Sequence, residues 1–259
     1  MSVTADLALE GGSISWRRGV APVAVLAAWV AGSLTGVLPP RIIPSAVTVG
    51  KTAWQLVQLG TLQQSLLVSL GRVAVGLGLG IVIGGCLALV AGLTRVGEDA
   101  VDPLMQAART LPVLALIPLF IVWFGIGEAV KIYTIAFATG FPVYLNLYAG
   151  IRGTDPKLLE AARTLELSRF QMIRRVVLPG AMASCLVGLR FSAGIAWLVL
   201  VVCEQINATT GLGAMMQNAE DFLRTDIIVV GLVVYALLGL ATDALVRLIE
   251  RRALSWRSA

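Results

Sequence analysis

The chain has 259 residues, 58% of them hydrophobic and only 14% charged, with a mean hydropathy of +0.87 and a formal net charge of +5. Soluble domains carry roughly 25% charged residues, so a water-soluble globule is excluded; at ~20 residues per span the length allows about six spans and no large soluble domain. Histidine is absent, which removes the commonest general base and metal ligand, so no catalytic metal or nucleophile–base pair is expected and the chain is read as non-enzymatic.

The polar stretch 1–19 is read as a cytoplasmic tail ending in Arg17 and Arg18. The apolar run that follows, 20–38, is long enough to span and precedes five more, so it reads as an uncleaved span rather than a signal peptide. Pro39, Pro40 and Pro44 then keep the chain extended. Ser45 can cap a short helix carrying Val47, Trp54 and Val57, with Trp54 as an interface anchor. Thr61 and Gln64 form a capping-box pattern ahead of the second run, 65–93. Gly76, Gly80, Gly84, Ala88 and Gly92 recur there at every fourth position, on one face where a neighbour can approach closely. Packing within the chain and a subunit interface both fit that face. Arg72, near the outer end of this span, can snorkel to the surface.

The third run, 104–124, contains Pro112 and Pro118, and the fourth, 129–150, contains Pro142. Each proline removes a backbone donor, and interrupted helices in a membrane are tolerated where they line protein or a water-filled cavity. In the fifth run, 180–205, Arg190 stands ~16 Å into a helix counted from Pro179. That depth is near mid-bilayer, where an unpaired charge costs at least ~2.5 kcal/mol. A buried ionic partner or an anion in a translocation pathway would each answer that cost. Trp197 and Glu204 complete the candidate pathway set, although Glu204, Gln205 and Asn207 also fit an interfacial helix end. The last run, 226–248, places Asp243 and Arg247 at the i,i+4 spacing of an ion pair. Cys86, Cys185 and Cys203 lie in apolar stretches without CxxC spacing and read as small core residues.

Fourteen of the twenty basic residues fall on one side of this six-span arrangement, among them six between 152 and 175. The positive-inside rule makes that side cytoplasmic and puts both termini there. Lipid is then the surrounding partner, and nucleic acid is not expected, because no long basic run exists. Gly50-Lys51-Thr52 lacks the earlier glycine of a P-loop, since Ser45 stands there.

The longest inside segment, 152–179, differs from the other loops. Asp155-Pro156 is a helix start, and Leu158, Ala161, Ala162 and Leu165 follow at i, i+3, i+4 and i+7. Ser168 and Gln171 form a second capping box, and Phe170, Ile173 and Val177 continue the apolar face up to Leu178-Pro179. The residues describe two short amphipathic helices joined by a tight turn. A hairpin packed on its own bundle and a docking site for a cytoplasmic partner account for them equally.

Glu160-Ala161-Ala162, followed by Leu165, Glu166, Val176, Leu178 and Pro179, resembles the EAA motif of binding-protein-dependent ABC importer permeases. The family pattern has Gly at the position of Glu166 and usually Ile at that of Val176. Gly would allow a positive φ that Glu resists, so the turn is expected in a slightly altered form. Softer runs extend the resemblance from Pro39 to Arg252: Ser69-Leu-Gly-Arg72, Trp123-Phe124-Gly125, Gly188-Leu-Arg190 with Trp197, Gly211-Leu-Gly213 and Arg224-Thr-Asp226. These look like the nitrate/sulfonate/taurine subgroup, nearest to the aliphatic sulfonate permeases.

The resemblance implies an all-α polytopic bundle of the type I importer kind, with 20–259 as one permease domain in a bacterial inner membrane. It also implies a second permease copy in a homodimer, two cytoplasmic ATPase subunits docked on the 152–179 loop, and an extracytoplasmic solute-binding protein. ATP and Mg would be bound by the ATPase partners and no cofactor by this chain. The implied cargo is a small anionic solute, an aliphatic sulfonate first, with taurine, nitrate or another small organic solute as alternatives. A secondary transporter would instead need ion-coupling carboxylates in mid-span, whereas Glu204 and Asp243 lie near helix ends.

Overall fold

The computed structural model describes residues 43–255, together with 20, 24, 27–33, 35 and 39. The expected tail 1–19 and most of the expected first span, 20–38, lie outside the described residues. Helices α1 (Ala46–Gln58), α2 (Thr61–Leu93), α3 (Arg95–Ala108), α4 (Ile117–Phe124) and α5 (Glu128–Arg152) form the first part of the bundle. They are followed by α6 (Pro156–Thr164), α7 (Arg169–Asn207), α8 (Leu212–Asp221) and α9 (Thr225–Ala253). Among the described residues, α2, α5, α7 and α9 are long and apolar enough to cross a membrane.

The centre of the bundle is the α2–α5–α7 contact, and the small-residue face of α2 makes it. Gly76, Gly80, Gly84, Ala88 and Gly92 are all buried. A Cβ on Gly76 would sit 2.7 Å from Ile135, and one on Gly92 2.9 Å from Ile151, while Gly80 and Gly84 abut Thr139 and Gly140. The face therefore serves packing within the chain. From α7, Gly188 approaches α5 in the same way, with Pro142 O 2.6 Å from where its Cβ would be.

Several sequence expectations are corrected by the fold. The run 104–124 is not one straight span: α3 and the segment Val113–Phe124 meet at 89°. The amphipathic α3 starts at Arg95, nine residues before the apolar run, and Pro112, which cannot continue the helix, marks the corner. Helix α2 begins at Thr61 without a side-chain cap, because Gly60 (φ 75°) turns the chain tightly out of α1. The second helix of the 152–179 segment does not close at Leu178-Pro179. It runs on as the first turns of α7 through a π turn at Ile173–Val177, which absorbs the donor that Pro179 lacks. Cys203 is buried as expected, but Cys86 is exposed on α2.

Other expectations hold. Ser45 caps α1, accepting from Thr48 N at 3.1 Å, and Val47, Trp54 and Val57 face outward. The opposite face of α1, with Val49 and Leu56, packs on Leu212, Met215 and Val230.

Candidate functional site

The hairpin is built as its caps dictate. Asp155 accepts from Lys157 N at 2.9 Å to start α6. Ser168 and Gln171 exchange both bonds of a capping box, at 3.0 and 3.3 Å. Between them the chain turns through a Schellman motif: Leu167 N donates to Ala162 O at 3.2 Å and Glu166 N to Arg163 O at 2.9 Å. That motif needs a left-handed residue, usually glycine, and Glu166 supplies it at φ 55°. The expectation of an altered turn is thus corrected. The six-residue hydrogen-bonded loop fixes the geometry, and the glutamate takes the strain.

The apolar stripe of α6 is divided between two surroundings. Ala162 is buried, and Leu159 packs on the cluster of Ile151, Val177 and Ala181. Leu158, Ala161 and Leu165 face outward beside Glu160, and Phe170 across the turn is 70% exposed. Val176, Leu178 and Pro179 are half-buried along the root of α7. An ion pair between Arg152 and Glu98 ties α5 to α3 at this end of the bundle. The result is a short surface helix with an apolar outer flank, held from behind by three elements.

At the opposite end a buried polar cluster joins α2, α5, α7, α8 and α9. Arg72, on α2, grips Glu128 with Nε and Nη2, both at 2.6 Å, and Glu204 with Nη1 at 2.6 Å. The same Nη1 donates to Thr210 O at 2.6 Å. Glu204 also accepts from Ser69 Oγ at 2.8 Å, Gly213 N at 2.7 Å and Tyr235 OH at 3.2 Å. Lys131 adds a second cation on Glu128 at 3.1 Å. Arg72 is only 4% exposed and Glu204 fully buried. The snorkelling reading of Arg72 is corrected: its charge is satisfied inward by two carboxylates, so nothing draws it to the surface.

The residues of this cluster are spread over 144 positions of chain, from Ser69 to Gly213 with Glu128 and Glu204 between, and no local spacing links them. Helix α8, which supplies Gly213 N, lies between the fifth and sixth apolar runs. Its buried Leu212, Met215, Met216 and Ala219 do recur at helical spacing. Beside the cluster, Thr61, Gln64, Thr210, Asn218 and Arg224 line a cavity of about 390 Å³. Arg224 pairs with Asp226 through two bonds of 3.0 and 2.9 Å, which raises its pKa. Thr52 on α1 donates to the same carboxylate at 2.7 Å.

The three candidate pathway residues follow one another along α7, with Tyr235 touching both Trp197 and Glu204. Trp197 is buried and donates to Thr242 Oγ1 at 3.0 Å, with its ring edge-on to Tyr235. Glu204, in the last turn of α7, belongs to the buried cluster. Arg190 alone is open: its side chain is 46% exposed, and Nε donates to Asp243 at 2.7 Å. Asp243 also holds Arg247 at 2.9 Å, the expected i,i+4 pair. Arg190 and Asp243 line a cavity of about 460 Å³ between α7 and α9.

Long apolar helices packed through glycines, a polar cluster clamping one end and an amphipathic hairpin presented at the other define a polytopic membrane component of a transport system. The chain belongs to the family described as binding-protein-dependent transport system inner membrane component, whose model matches residues 76–255. It is accordingly the permease component of an ABC importer, working with an ATPase and a substrate-binding protein rather than catalysing a reaction itself. It is 42% identical over 246 residues to the putative aliphatic sulfonates transport permease protein SsuC of Bacillus subtilis, covering 94% of this chain and 89% of that protein. It is 44% identical over 238 residues to the protein of the same name from Escherichia coli, covering 92% and 90%. The taurine transport system permease protein TauC of Escherichia coli is 37% identical over 196 residues, covering 76% and 71%. Among solved structures, an amino acid ABC transporter matches the fold with a TM-score of 0.64 at 19% identity, covering 76% of this chain and 96% of that one.

Proposed function

We propose that this chain forms the translocation pathway of an ATP-driven importer of aliphatic sulfonates. The observation that carries the cargo is the identity of 42% and 44%, over more than nine-tenths of the chain, to two permeases named for aliphatic sulfonates. Taurine, itself a sulfonate, is the second reading, favoured by the 37% identical taurine permease.

Residues 20–259 act as one permease domain that pairs with a second copy. The chain lies in a bacterial inner membrane with both termini cytoplasmic, as the basic residues around 152–175 support. Two ATPase subunits, which hold ATP and Mg, dock on the 152–179 segment. Glu160, Ala161 and Leu165 meet the ATPase; Ala162, Glu166, Val176, Leu178 and Pro179 hold that surface in place. The exposed apolar flank with Leu158 and Phe170 supports this assignment. Arg190 faces the solute path, and Trp197 and Glu204 position the helix that carries it.

The test is uptake of labelled ethanesulfonate, taurine and nitrate by vesicles containing the permease, its ATPase and its binding protein. Ethanesulfonate uptake that requires ATP supports the reading, and exclusive uptake of nitrate refutes the cargo. Glu160→Trp should leave the permease folded and reduce ATPase association; unchanged association and uptake refute the docking assignment.

A further inference from the structure

The groove between α7 and α9 is built from two parts that meet at Arg190. The upper part, a cavity of about 460 Å³, is walled by Val187, Phe191, Ala193, Gly194 and Gly239. The lower part, of about 590 Å³, is lined by Arg190, Arg247, Glu250 and Arg251.

Two observations describe this space: it is open along its glycines, and it is charged at its polar end. The first comes from the glycines. At Gly76, Gly80, Gly84 and Gly92 of α2 and at Gly188, an added Cβ would collide with a neighbouring helix, so those glycines serve packing, whereas Gly71, Gly78 and Gly85 on the other faces of α2 are open. At Gly194 and Gly239 an added Cβ meets nothing within 4 Å. The second comes from charge. Among the described residues the groove carries three guanidinium groups against two carboxylates, one positive charge in excess. Arg190 engages Asp243 through Nε, and its two terminal amino groups have no hydrogen-bond partner among the described residues. A half-exposed cation at this depth is expensive unless an anion or water meets it.

The described part of the expected first span does not fill the groove. Trp29 packs on the cluster of Val49, Leu56, Leu212, Met215 and Val230, and at 3.6 residues per turn Val230 is turned by ~100–140° around α9 from Asp243, Arg247 and Leu254.

We propose that the α7–α9 groove is a binding site for a single alkanesulfonate, with the sulfonate on the free amino groups of Arg190 and the alkyl chain along Val187, Phe191, Gly194 and Gly239. One excess positive charge matches a monoanion, and the groove changes from polar to apolar at Arg190, as a head-and-tail solute requires. Phosphate monoesters, which carry about −1.5 to −2 charges at neutral pH, are matched less well. This assignment rests on the sulfonate-importer reading and adds a site within the permease itself.

The test uses the full chain in nanodiscs of phosphatidylcholine, without the binding protein, and measures binding of ethanesulfonate and pentanesulfonate. Affinity should rise about fourfold per methylene that enters the groove. Arg190→Gln should weaken both probes at least tenfold, and it leaves Asp243 paired with Arg247, so folding is kept. Gly239→Leu, which fills open space and changes no charge, should weaken pentanesulfonate far more than ethanesulfonate. If both variants bind as the parent does, the site is wrong even where the complete transporter imports sulfonates. If phosphatidylglycerol abolishes sulfonate binding and co-purifies in an Arg190-dependent manner, the groove is a lipid site and the proposal is overturned. If the complete transporter imports no sulfonate, the cargo assignment falls first and this site with it.

Discussion

Removing the Glu204 carboxylate tests the polar cluster most directly. Glu204 is fully buried and receives bonds from Arg72, Ser69, Gly213 N and Tyr235. In Glu204→Ala, Arg72 keeps Glu128 and the Thr210 carbonyl, but three other buried donors lose their acceptor. Breaking a buried pair from one side costs about 3–5 kcal/mol, and the orphaned donors put this case at the upper end of that range. Glu204→Gln preserves shape but turns an amide N–H toward Gly213 N, so a loss of about 2 kcal/mol is expected. The double variant Arg72→Met, Glu204→Leu removes both charges together and should cost less than the sum of the two single losses, because apolar replacement of a buried pair is milder than breaking it from one side, while Ser69, Gly213 N and Tyr235 still lack their acceptor. Glu128 retains Lys131 in that background. Equilibrium unfolding in mixed micelles supplies the free energies. A Glu204→Ala variant within about 0.5 kcal/mol of the parent, or a double variant as damaged as the sum of the singles, would refute the cluster as the clamp of this end.

Glu166→Gly should stabilise the hairpin turn by about 1 kcal/mol, since a left-handed glutamate is strained by about 1–2 kcal/mol and glycine gives back part of that as chain entropy. Leu223, at φ 53° after α8, sits in the same motif, with Arg224 N donating to Ala219 O at 2.7 Å, so Leu223→Gly should behave alike; hydrogen exchange of the two turns reads both. Gly76→Ala meets Ile135 at 2.7 Å and should lose about 1–3 kcal/mol by overpacking. Gly78→Ala, two residues on with nothing within 4 Å, should be neutral or gain up to about 1 kcal/mol, and unfolding of the pair separates packing from propensity. Trp197→Phe loses the bond to Thr242 and should cost about 1 kcal/mol, read as a shift in the same unfolding curve.

Features encoded within one or two helical turns were legible in the sequence. The caps of α1 and α6, the Ser168 capping box, the glycine face of α2 and the Asp243–Arg247 pair all depend on spacings of three or four residues. What was missed depends on residues far apart in the chain. Arg72 reads as a snorkelling side chain until Glu128 and Glu204 are folded onto it. The stripe of α6 shows apolar positions without saying which will be covered, because Leu159 finds its partners on α5 and α7. Pro179 reads as a stop, since the π turn that accommodates it has no residue signature of its own.

That π turn gives α7 a mechanical character. Phe170 on the exposed hairpin and Glu204 in the clamp belong to one hydrogen-bonded rod with no loop between them. Thirty-four residues at ~1.5 Å each make a lever arm of about 51 Å. Tilting it by ~5° about its inner end would carry the outer end ~4 Å sideways, more than a hydrogen bond's length. A small push on the hairpin would therefore arrive at the clamp as a displacement large enough to exchange Glu204's partners.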